Sequence, residues 1–241
     1  MKFPCNVLYR RNKHLSTLRF LLFASATAVA AFAQVSLDNA YQVRYFANAD
    51  CSAASQPACV GAPQARPDSF VDISNTGARG GVTDQSGTSA AIGGAICVNV
   101  YTFSFDEQMA SCCSCPVTPN GLVSLSVQKD LISNTLTPAK PASGVIKLLA
   151  TVPVGGTCNF SATAVATATL APGLVAWGTT NHSGPVSGSF STTETPFTPS
   201  TLSASELGHL GRVCSFIIGQ GSGFGLCRSC PTLGGQGAGA Q

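Results

Sequence analysis

Apolar and polar residues alternate along much of this chain with a period near two, the signature of half-buried strands. The strongest run is residues 95–105, AICVNVYTFSF. It puts Ile96, Val98 and Val100 on one face and Cys97, Tyr101, Phe103 and Phe105 on the other. Both faces are apolar over part of its length, so the pattern predicts a central strand buried on both sides. Asp106-Glu107 suits a hairpin tip, with residues 108–115 returning antiparallel and carrying Cys112, Cys113 and Cys115. Shorter strands are expected at 41–46 and 70–73, and Gly- and Ser-rich residues 75–94 read as loop. Thr118-Pro119-Asn120-Gly121 signals a turn. Residues 122–132 fit alternation at Val123, Leu125, Val127 and Leu131 but a helix at Leu122, Leu125 and Ile132; a strand followed by a loop is expected. Val-, Thr- and Ala-rich stretches at 145–154 and 160–170, and the segment 174–177, complete the expected strands.

One segment changes period. Ser203-x-x-Glu206 is a capping-box pattern, in which the serine oxygen accepts from the Glu206 amide and the Glu206 side chain reaches back. Leu202 and Leu207 are placed as a hydrophobic staple, and Leu207, Leu210, Cys214 and Ile217 recur on one helical face. Gly219 and Gly221 supply the stop. The expected fold is therefore mainly β: an antiparallel, sandwich-like, disulfide-stabilised domain with one C-terminal helix.

The N-terminus follows other rules. Lys2, Arg10, Arg11, Lys13 and Arg19 form a basic leader ahead of the apolar stretch 20–33, which falls short of the about 20 residues a membrane span needs. Ala31-Phe32-Ala33 offers small residues for cleavage, so residues 1–33 read as a signal peptide and the mature chain begins at Gln34. A single secreted domain is expected over 34–232, followed by a flexible Gly-rich tail at 233–241. Five of the 13 Lys+Arg and none of the 10 Asp+Glu lie in the leader, leaving eight basic residues against ten acids, a balance of −2. That excludes a nucleic-acid face or a polybasic membrane patch, and no membrane anchor is expected in the mature chain.

Cys5 leaves with the leader, and ten cysteines remain: Cys51, Cys59, Cys97, Cys112, Cys113, Cys115, Cys158, Cys214, Cys227 and Cys230. An even set in an exported protein reads as a disulfide framework. Cys51 and Cys59 bracket a short polar loop and are expected to pair. On a strand Cys112 and Cys113 point to opposite faces and serve different partners, and Cys214, on the apolar stripe, ties the helix to the sheet. Cys112-Cys113-Ser114-Cys115 with Cys227-Arg228-Ser229-Cys230 also admits a metal or dithiol reading, because C-x-x-C chelates metals and cycles between thiol and disulfide.

Other chemistry is sparse. His182, placed in a Thr-Thr-Asn-His-Ser-Gly turn, and His209 are the only histidines after the leader and the candidates for a hydrolase reading. Asp68 with Asp72, and Asp106 with Glu107, read as loop and turn acids; Ser89 reads as a loop serine. The segment 72–77 faintly resembles a calcium loop without its later acid. Asn159-x-Ser161 and Asn181-x-Ser183 match the N-glycosylation pattern. No phosphate loop, dinucleotide fingerprint or G-x-S-x-G elbow is present, and neither a cofactor nor a catalytic residue is nominated.

Three islands, Ile96-Cys97-Val98-Asn99-Val100-Tyr101-x-Phe103, Cys112-Cys113-Ser114-Cys115-Pro116-x-Thr118-Pro119-Asn120-Gly121-Leu122 and Gly223-Phe224-Gly225-Leu226-Cys227-Arg228-Ser229-Cys230, resemble an uncharacterised family of secreted, cysteine-rich acidobacterial proteins. The resemblance implies a shared fold and export and carries over no catalytic residue. The expected function is an extracellular binding or structural domain, with envelope components or polysaccharide as partner classes. The alternatives are a secreted hydrolase and an extracytoplasmic thiol–disulfide or metal protein using Cys227 and Cys230.

Overall fold

The computed structural model describes residues 39–47, 68–80, 93–137, 140–141, 143–158, 169–183, 190–228 and 230. The strands are β1 (Tyr41–Phe46), β2 (Phe70–Asn75), β3 (Ile96–Ser104), β4 (Met109–Val117), β5 (Leu122–Ser126), β6 (Gly144–Thr151), β7 (Leu174–Ser183), β8 (Phe190–Pro196) and β9 (Thr198–Pro199). Helix α1 spans Ala204–Gly219. Pairing is antiparallel throughout, in a five-stranded sheet of order β4-β3-β6-β1-β9 and a four-stranded sheet of order β5-β2-β7-β8.

The period-two pattern explains the layering. Ile96, Val98 and Val100 of β3, with Ile146 and Leu148 of β6, meet Val71, Ile73, Leu125, Leu174 and Ala176 of the other sheet in one buried cluster. The opposite face of β3 presents Tyr101 and Phe103, which join Tyr41, Leu149, Cys112 and the helix residues Leu210, Cys214 and Ile217 in a second cluster. Sheet packs on sheet, and α1 covers the outer face of the five-stranded sheet. This is why β3 carries apolar residues on both faces. Phe105, expected on the outer stripe, lies past the strand end and is exposed. The hairpin turns at Asp106-Glu107, where Glu107 takes a positive φ of 66° and the Asp106 carboxyl is held below its ordinary range by the Ser104 hydroxyl that donates to it.

Several elements depart from the sequence expectation. Residues 127–131 form one turn of π-helix rather than loop. Asp130 Oδ2 accepts from the Ser126 amide at 2.7 Å, and Val127, Leu131 and Ile132 drop into the core. β7 runs on to Ser183, so His182 sits in a strand, not a turn. β8 was not legible because residues 191–196 are exposed and carry no apolar alternation. Its pairing is supported by side-chain bonds, Thr192 Oγ1 to Asn181 Oδ1 at 2.7 Å and Thr193 Oγ1 with His182 Nε2 at 2.8 Å. At the start of α1, Ser203 Oγ accepts from the Glu206 amide at 3.1 Å as expected. The Glu206 carboxylate, however, turns to Lys147 Nζ, 2.6 Å away on β6, rather than back to Ser203. Lys147 also lies 4.7 Å from the centroid of Phe103, whose ring stacks on His209. That pair docks the first turn of the helix on the sheet. Beside it, burial and the Glu206 carboxylate push the Tyr41 hydroxyl up to about 12.

The leader, the Cys51–Cys59 pair, residues 160–168 of an expected strand, Ser89, Asn159 and the tail lie outside the described residues. Among the described residues no helix is long and apolar enough to cross a membrane.

Candidate thiol cluster at the sheet edge

β4 is an edge strand, which is why it tolerates Pro116. Its free edge is not left open. Residues 223–228, the strap that follows α1, run beside it: the Cys112 amide donates to Gly225 O at 2.9 Å and the Cys227 amide to Cys112 O at 3.2 Å, a parallel bridge between Cys112 and Leu226. On its far side the strap is held by Asn134 Nδ2, donating to Gly223 O at 2.7 Å and Leu226 O at 3.2 Å, and by the Arg228 amide, donating to Asp130 O at 3.0 Å.

Strand alternation then distributes the sulfurs. Cys112 faces outward and bonds Cys214 of α1, with Cα atoms 5.9 Å apart. Cys113 and Cys115 face inward and bond Cys227 and Cys230, with Cα separations of 5.4 and 4.9 Å. The parallel bridge between Cys112 and Leu226 puts Cys227 level with Cys113, and Cys230 meets Cys115 one position beyond that register. A fourth pair, Cys97–Cys158, anchors the loop after β6 to β3. Thus the eight described cysteines form four pairs. The two inward pairs are neighbours: Cys230 Sγ is 3.3 Å from Cys113 Sγ, and the sulfurs of Cys113, Cys115 and Cys230 all lie within 4.8 Å of one another. Cys113 and Cys115 are buried, while Cys227 and Cys230 are half-buried at the rim.

The other residues singled out by sequence lie apart from this cluster. His182 is exposed on β7 of the four-stranded sheet, and His209 is exposed on α1, on the far face of the five-stranded sheet. Asp68 is a local organiser: it accepts from the Ser126 hydroxyl and from the Gln128 amide at 3.0 Å. Asn75 is likewise occupied, donating to Gly94 O and Val117 O at 2.9 and 3.0 Å and accepting from the Gly77 amide. This leaves the faint calcium-loop pattern a turn. Asn181 is buried and donates to Asp68 O at 3.0 Å, which leaves that glycosylation motif inaccessible in the folded chain.

Sequence reasoning did not single out Arg44. From β1 it reaches the other sheet, donating to Thr180 Oγ1 at 2.8 Å, Thr195 Oγ1 at 3.1 Å and Thr179 O at 3.2 Å, with a further bond to Tyr45 O. Burial lowers its pKa. It lines a shallow groove with Tyr45, Thr198 and Ser200. Its N–H groups are taken by protein acceptors, so its task is to join the sheets. The lone charged residue within the strand pattern of 41–46 was the available signal.

No family model matches the chain, and no curated protein matches it. Among solved structures it is similar to the crystal structure of Thermotoga maritima 1070, at 10% identity and a TM-score of 0.34, over 65% of this chain and 91% of that one.

Proposed function

We propose that the chain is exported and works outside the cytoplasm as a disulfide-locked binding domain for neutral polysaccharide. The observation that carries the binding role is the outward face of the four-stranded sheet. Phe70 and Asp72 of β2, Ser74, and Leu122 and Ser124 of β5 share that face, and Trp177 of β7 is the direct partner of Asp72. Phe70 and Trp177 are diagonal neighbours on adjacent strands, within reach of aromatic side chains. Their exposures are 43% and 37%, and Leu122 is 69% exposed. Exposed aromatic side chains on one sheet face, flanked by hydroxyls, suit the apolar faces and polar edges of sugar rings, and such exposed apolar patches mark interaction surfaces. Four cysteine pairs support the compartment, since disulfides persist where the surroundings are oxidising. The leader and the resemblance of the cysteine islands to secreted acidobacterial proteins support the same reading.

Trp177 is the sole tryptophan, so its emission reports directly on this face. Titration with soluble β-glucan, xylan and mannan is expected to shift or quench that emission for at least one of them. Trp177→Ala is expected to weaken binding to that glycan, measured by calorimetry, at least about tenfold, the scale of an aromatic hot spot. Unchanged emission across the three glycans, or full affinity in the variant, contradicts the proposal.

A further inference from the structure

We propose that Cys113, Cys115, Cys227 and Cys230 are a convertible site: two disulfides when oxidised, and one tetrathiolate zinc centre when reduced. The sequence offers C-x-C on a strand and C-x-x-C on the strap, without the second C-x-x-C of a regular zinc pattern. The fold supplies what spacing does not. Alternation aims Cys113 and Cys115 the same way, and the C-terminal segment brings Cys227 and Cys230 into bonding distance of them.

Tetrahedral zinc, with Zn–S near 2.3 Å, holds its sulfurs about 3.8 Å apart. Across the two pairs, Cys113 and Cys230 Sγ are already at 3.3 Å, and three of the four sulfurs fall within 4.8 Å of one another. The bonded partners must separate from the roughly 2 Å of an S–S bond to that distance, and Cys227 Sγ, outside the 4.8 Å group, must swing in to complete the tetrahedron. The strap need not move, because its backbone is bonded independently to Cys112 on one side and to Asp130 and Asn134 on the other.

The interconversion balances. Starting from the zinc form, two molecules of a small-molecule disulfide each accept two electrons and are cleaved to two thiolates. The four cysteine thiolates supply those electrons, the Cys113–Cys227 and Cys115–Cys230 bonds form, and the zinc ion leaves. In reverse, a dithiol reductant cleaves each protein disulfide and is itself oxidised to a disulfide, and zinc takes up the four thiolates with loss of their protons. The metal would thus hold the strap against β4 before, or in place of, oxidation.

The test is cobalt titration of the full chain after reduction with a phosphine and removal of the reductant under nitrogen. The expected result is one equivalent of Co2+ with the visible absorption of a tetrahedral tetrathiolate, displaced by one equivalent of Zn2+, with β-sheet circular dichroism regained on metal binding. Cys227→Ala and Cys230→Ala should each abolish that spectrum, and the Cys97→Ala/Cys158→Ala double variant should keep it. The absence of a tetrahedral spectrum overturns the proposal, as does equal loss in the Cys97/Cys158 variant. A reduced chain that stays unfolded with metal present also overturns it, since the ion is assigned the disulfides' role in holding the strap.

Discussion

Replacing Cys112, Cys113, Cys115, Cys214, Cys227 and Cys230 together by alanine is expected to leave the chain unfolded at room temperature, whereas removing any one of their three bridges leaves it folded. The reason is that the three bridges close overlapping loops. They span 102, 114 and 115 residues, and all run from β4 to the C-terminal segment. In the chain-entropy account, closing a loop of about 100 residues contributes about 4.7 kcal/mol. Once one bridge has closed that loop, the others close only small rings. With Cys113–Cys227 intact, the Cys112–Cys214 bridge closes a ring of roughly 15 residues, which contributes about 3 kcal/mol. The Cys115–Cys230 bridge closes a ring of roughly five, which contributes about 2 kcal/mol. All three together are worth about 10 kcal/mol, comparable with the entire stability of a typical domain. Urea unfolding followed by circular dichroism reads the series. A single deletion as damaging as the triple, or a triple variant with a cooperative transition, contradicts this sharing of one long loop.

Gly225→Ala is expected to cost about 2–4 kcal/mol and to speed reduction of the two inward disulfides by a dithiol. Gly225 has a φ of 78°, a conformation costly for any residue with a Cβ. The added methyl would also lie 2.5 Å from Ile217 Cγ2, a buried side chain of α1. Neither neighbour yields easily: Ile217 is packed in the outer core, and Gly225 is fixed by the Cys112 amide on one side and Asn134 O on the other. The strap must therefore lift from the β4 edge, exposing the thiol cluster to reductant. Gly219→Ala is the matched control. It sits at the end of α1 with open space around the new methyl, and should be neutral or slightly stabilising. Equal unfolding midpoints and equal reduction rates for the two variants contradict the strap's role.

What the sequence made legible follows from how each element is held. β3 and β4 were readable because burial on both faces writes apolar residues at consecutive positions and because alternation separates Cys112 from Cys113. The helix was readable from its Ser203 cap and its Leu210-Cys214-Ile217 stripe. β8 was not, since its exposed residues carry no hydrophobic period and pair through threonine, asparagine and histidine side chains. Nor was the redirected Glu206, because Lys147 lies 59 residues away and meets it only once β6 and α1 are packed. The candidate site was half legible. The four cysteines announce themselves, but the Gly-rich strap has no pattern of its own, and its parallel run along β4 emerges only in three dimensions. Connectivity among ten cysteines has too many solutions for spacing to choose one.

The central claim is that the C-terminal segment is fastened to one edge strand by three bridges. Non-reducing proteolysis of the oxidised protein, followed by mass spectrometry of the linked peptides, tests it most directly. The predicted links are Cys112–Cys214, Cys113–Cys227 and Cys115–Cys230, with Cys97–Cys158 separate. A Cys227–Cys230 or Cys112–Cys113 link, or free thiols at these positions in the oxidised protein, contradicts it.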